Sequence, residues 1–156
     1  MKLTFTKGLA KTDWLDIVRA DGTTLPRINC PKQRIIPHDM VHYAVESVLA
    51  ARGFLGMVAS GAPATFAPGG VSEEAIERLV ETIQAEAWSG TADTTELIGL
   101  YELTCDARGH ASVPVDAAAI DAIRSRMAEL TERWEAVPVG RTLTLKFGDS
   151  ATGVRR

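Results

Sequence analysis

His38, Asp39, His42 and Glu46 are the residues whose types and spacing could do chemistry. The two histidines are four apart, and Glu46 follows His42 by four more. On a helix such residues stand one above the other on the same face, about 6 Å apart. A histidine pair with a carboxylate beside it can hold a divalent metal, zinc or similar, or pass protons. His38, His42 and Glu46 are therefore the candidate metal ligands, and Asp39 is the candidate catalytic acid or base.

His38-Asp39-Met40-Val41-His42 differs by one residue from the H-E-x-x-H helix, in which both histidines bind zinc and the glutamate activates water. Aspartate is one methylene shorter, which sets its carboxylate ~1.5 Å back. A displacement on that scale can cost ~100-fold in rate. The similarity to zincins covers five residues and departs at the catalytic one, which argues against proteolysis but is compatible with a bound metal. Glu46 lies two helical turns from His38, about 12 Å, so one ion cannot readily take all three side chains. A further ligand has to come from another element: Glu77 or Glu81, Glu102 or Asp106, or His110. Each residue also has a plainer reading. Asp39 suits a first helical turn, where it meets the dipole and caps N–H groups. His42 suits a packed, hydrogen-bonded position, and Glu46 suits solvent or an i, i+4 pair with His42.

The elements that must position these residues follow from periodicity. Leu3 and Phe5 alternate with threonines as a half-buried strand, and Trp14 to Ala20 alternates likewise. Asp21-Gly22 is a hairpin turn leading to a returning strand, Thr23 to Asn29, with Pro26 placing it at an edge or bulge. Cys30 to Gln33 reads as a loop. Pro37 opens a helix expected to reach Arg52 and stop at Gly53, with Val41, Ala44, Val45 and Val48 inward. The histidines fall on the margin of that face, and Asp39 and Glu46 turn toward solvent. Gly53 to Ala59 reads as a short buried strand or irregular turn, and Gly61 to Gly70 as a mobile loop.

Three helices follow: one capped by Ser72 and ending near Gly90, one from Asp93 or Thr94 to Ala107 with Leu97, Leu100, Tyr101, Thr104 and Cys105 inward, and one from Asp116 to Glu135. Arg124, Arg126 and Arg133 read as solvated charge on the last of these. Thr142 to Phe147 is a final strand, able to join the N-terminal sheet. The expected fold is α+β: a small antiparallel sheet packed against about four helices in one domain, residues 1–148, with a flexible tail, 149–156.

A chain of 156 residues with net charge −3 can bury a real core and makes no electrostatic case for nucleic acid or an anionic membrane. No apolar run approaches the ~20 residues of a membrane span. Cys30 and Cys105 are far apart, which suits free thiols and a cytoplasmic location. Trp14, Trp88 and Trp134 are candidate core or contact residues, and a homo-oligomer built on one of them is an expectation. Asp21-Gly22, Pro31-Lys32-Gln33 and Pro37 through Glu46 resemble small bacterial proteins that place a Pro-His-Asp-x-x-His-x-x-x-Glu helix after an N-terminal hairpin. That resemblance implies no activity and no residue roles. Two functions follow from the residues: a metal or proton-transfer site on the His38/His42 helix, hydrolase-like at most, or a non-catalytic binding protein using that helix as an interface.

Overall fold

The computed structural model describes residues 1–49, 51–63 and 70–148. Strands β1 (Lys2–Thr6), β2 (Thr12–Val18) and β3 (Ile28–Pro31) come first, and β4 (Thr142–Lys146) comes last. Between them lie α1 (His38–Glu46), α2 (Phe54–Ala59), α3 (Val71–Ser89), α4 (Thr94–Ala107) and α5 (Ala117–Glu135). The α+β class holds, with a four-stranded antiparallel sheet in the order β3-β2-β1-β4.

Register explains the sheet. Leu3 pairs with Ile17 and Leu145, and Phe5 pairs with Leu15 and Leu143, so the apolar side chains of three strands share one face. All six are buried. The helices cover that face, with α1 at the centre against α2, α3 and α5. On α5, Ile120, Ile123, Met127, Leu130 and Trp134 form the expected buried stripe, and Asp116 caps its start by accepting from Ala119 N. Asp93 caps α4 in the same way. None of the described helices is long and apolar enough to cross a membrane.

Several boundaries depart from expectation. The third strand begins at Ile28, leaving one bridge, Val18 to Thr24, on the return from the hairpin. Pro26 has no N–H to give to a ladder there. Cys30 and Pro31, expected in a loop, extend the strand at the sheet edge. Helix α1 stops at Glu46 rather than Arg52, and Gly53 to Ala59 yields the helix α2 rather than a strand. Gly70, not Ser72, occupies the cap position of α3, and the Ser72 hydroxyl donates to Arg52 O instead. Leu100 is exposed, because the inward row of α4 is Leu97, Tyr101 and Cys105. Arg124 is not free: its guanidinium grips both oxygens of Glu86 on α3 and also reaches Thr94 and Ala92. The tail and most of the expected mobile loop lie outside the described residues.

Tyr101 closes the connection between α4 and α5. Its hydroxyl accepts from Val113 N at 2.8 Å and donates to Val113 O at 3.2 Å. Replacing Tyr101 with Phe is expected to lower stability by about 1–3 kcal/mol, the cost of leaving buried backbone groups unpaired. Urea unfolding measures this, and an unchanged midpoint would mean that water takes over both bonds.

Candidate metal centre

Helix α1 sets His38 and His42 one turn apart, and α3 packs across them carrying Glu77. The histidine rings meet edge to face with centroids 4.9 Å apart. Each directs its Nε2 at a different oxygen of the same carboxylate: His38 to Glu77 Oε1 at 3.1 Å, His42 to Glu77 Oε2 at 2.9 Å. One ligand atom from each of these three residues lies within 4.8 Å of the others, so the group could hold a metal ion.

The opposite ring nitrogens are committed elsewhere. Glu46 presents its carboxylate to three backbone donors: Gly53 N at 3.0 Å, Gly56 N at 2.9 Å and Leu55 N at 3.1 Å. These are N–H groups at the start of α2, which a helix leaves without internal partners. A carboxylate in that role only accepts, so His42 Nδ1, at 2.9 Å from Glu46 Oε2, must be the donor. Gly53 is where this clasp leaves no room: a Cβ there would lie 2.5 Å from Ile76 Cγ2 and 2.8 Å from the Glu46 carboxyl carbon.

A second chain of bonds fixes His38. Gln33 Nε2 donates to the carbonyl of Ile36 at 2.8 Å and to Gln84 Oε1 at 3.0 Å. A carbonyl cannot donate, so this end of Gln33 is its NH2 and the Gln84 atom is its oxygen. His38 Nδ1, 2.8 Å from that oxygen, is then a donor too. Trp88 Nε1 ties the Gln33 carbonyl to the end of α3 at 2.7 Å.

With both Nδ1 atoms donating, neutral rings would turn two Nε2 lone pairs against the Glu77 oxygens. Something positive must lie between them: two protons or one divalent cation. Either choice balances the charges of Glu46 and Glu77. In the protonated form burial works against the His42 imidazolium, but hydrogen bonds to Glu46 and Glu77 outweigh it and raise its pKa to about 9. His38 is raised for the same reason, its bonds to Glu77 and Gln84 overcoming burial. Burial pushes the Glu77 carboxyl up, yet the two histidines pull it well below the ordinary carboxylate range.

Access is one-sided. The His42 side chain is 2% exposed and that of Glu77 16%, whereas His38 is 41% exposed. Phe54 packs on the His42 ring, with centroids 5.8 Å apart. The centre is thus sealed beneath His42 and open beside His38.

Of the residues singled out by spacing, the structure brings His38 and His42 together and places Glu46 behind His42, on the ring nitrogen away from Glu77. Glu46 was expected near solvent but is 6% exposed, because its carboxylate turns inward to the start of α2. Asp39 is half-buried and takes no capping bond. Its polar contact is Cys30 Sγ at 3.9 Å, and burial raises its pKa against the pull of His42 and His38. Among the further ligands that the sequence allowed, Glu77 meets the pair, while His110 sits against Glu74. Gln84 and Gln33 had no distinguishing signal, although Glu77 and Gln84 are seven apart and share one stripe of α3. Comparison with protein-family models, with curated proteins and with solved structures gave no match.

The ion-free chain should carry the pH dependence of this cluster. A histidine whose pKa is raised by folding stabilises fully below its unfolded value, near 6.5, and that contribution is lost as pH rises through about 9. Glu77 has the opposite sign, its contribution being lost as pH falls below the ordinary carboxylate range. Urea midpoints in chelator should therefore decline between pH 6.5 and 9.5, by at most about 1.4 kcal/mol per pH unit per group. A flat profile would contradict the protonated arrangement.

Proposed function

We propose that the chain binds one divalent metal ion through His38, His42 and Glu77 and works as a metal-dependent hydrolase. The observation that carries this reading is the pair of Nε2 atoms aimed at one carboxylate while both Nδ1 atoms are already spoken for. Metal-bound histidines characteristically donate their other N–H to a carboxylate or carbonyl, which fixes the tautomer and ring orientation. Glu46 supplies the carboxylate for His42, and the Gln84 amide oxygen serves His38. Two histidines and a glutamate form a ligand set known from catalytic zinc, which keeps a coordination position open.

When bound, such an ion polarises a carbonyl or phosphoryl oxygen and lowers the pKa of a water. The chain's own residues do the rest. His38, at the open side, faces incoming substrate, while His42 and Phe54 keep water from the inner side. Glu46 holds the His42 ring immobile through its bonds to α2. Asp39, beside both histidines in charge though not in direct contact, is the candidate proton acceptor, and its raised pKa suits a group that exchanges a proton.

The alternative, in which this helix is an interface element and its histidines are packing residues, would have to use His38 rather than His42 or Glu46. His42 and Glu46 are both buried.

Elemental analysis of protein prepared without chelator is expected to find about one equivalent of zinc, iron, manganese or nickel. His38→Ala, at the more exposed ligand, should abolish uptake while circular dichroism stays unchanged. Glu46→Gln should weaken affinity about 10–100-fold, as changes behind a ligand histidine do. Hydrolysis of simple esters or phosphoesters should disappear with chelator and return with the ion. Trace metal in the parent and His38→Ala alike would end the metal reading.

A further inference from the structure

His110 poses the same problem as the first centre at a different place, after the C-terminus of α4. Its backbone N–H donates to Cys105 O at 3.1 Å, and Gly109 turns the chain there with φ of 79°. The ring folds inward, leaving the side chain 6% exposed. Nδ1 lies 3.0 Å from the carbonyl of Ala111, which can only accept, so Nδ1 carries a proton and donates. Nε2 is sealed from solvent and has no hydrogen-bond partner. It points at Glu74 Oε2, 3.7 Å away.

That distance is too long for a hydrogen bond. Among the described residues no lysine or arginine pairs with Glu74, whose side chain is 39% exposed on the first turn of α3. A buried nitrogen lone pair and a carboxylate therefore face each other across a gap, with an open side at Glu74. Two ligand bonds of about 2.1 Å, meeting somewhat wider than the tetrahedral angle, span the observed gap.

We infer that His110 Nε2 and Glu74 form a second cation site, separate from the His38/His42/Glu77 group and sharing no residue with it. One imidazole nitrogen and one carboxylate oxygen suit a divalent ion of the zinc, nickel or copper kind, with water in the remaining positions. Calcium and magnesium, which take oxygen donors, do not fit. With two protein donors it is the weaker of the two sites.

Copper(II) is the probe, because it binds nitrogen and oxygen donors most tightly in the divalent series. Ion-free protein titrated by calorimetry should show two classes of site. The weaker class should vanish in His110→Gln and lose at least tenfold in affinity in Glu74→Gln. A His38→Ala, His42→Ala double variant should retain the weaker class alone, with paramagnetic resonance showing one imidazole nitrogen. If the double variant fails to fold, the difference in stoichiometry between the parent and His110→Gln decides the matter. Equal copper uptake by the parent and His110→Gln overturns this inference and leaves the first centre untouched. Loss of the tighter class alone from the parent would instead count against the first centre.

Discussion

One buried carboxylate, Glu46, organises the middle of this protein. Left unpaired in the interior, a carboxylate costs several kcal/mol or gives up its charge. Here it has four donors: three backbone N–H groups at the head of α2 and the Nδ1–H of His42. The chain cannot satisfy that carboxylate and also continue α1 as a straight helix. It turns after Glu46, brings Gly53 back against the side chain, and starts α2 there. The same bonds that end one helix and begin the next hold a histidine with its other nitrogen toward α3.

The site is thus assembled from the outside inward. Nonpolar register in the sheet and the stripes of α3 and α5 feed one core, in which α1 packs against both α3 and α5. Glu77 then meets both histidines across the α1–α3 contact, and the Gln33–Gln84 pair closes the rim. Each ring is held from behind before anything occupies the space in front. Rings held in this way would need little further ordering to hold a cation.

Two negative carboxylates and two histidines within one core also explain why the cluster needs either protons or a cation. The interior magnifies unpaired charge, and the two loaded forms carry the same total. His110 and Glu74 repeat on a smaller scale the arrangement of a committed Nδ1 with Nε2 near a glutamate of α3, one turn from Glu77.

The sequence by itself determined the α+β class, three strands of the sheet, the three long helices, the hairpin turn and the one-turn spacing of His38 and His42. Those features rest on local periodicity, turn chemistry and helical spacing, which need no knowledge of distant contacts. Tertiary structure decided the rest. Glu46 has the spacing of a ligand or a solvated residue, and only the return of Gly53 makes it a buried anchor. Glu77 was one of several acids in reach until the packing of α1 on α3 singled it out. Leu100 and Leu97 both looked inward-facing on α4, but the row that continues to Tyr101 and Cys105 is the one that meets α3. Gln33 and Gln84 carry no sequence signal, because what they do depends on a carbonyl and a ring contributed by other elements. Spacing fixes which side chains share a face; the packing partner fixes what that face can hold.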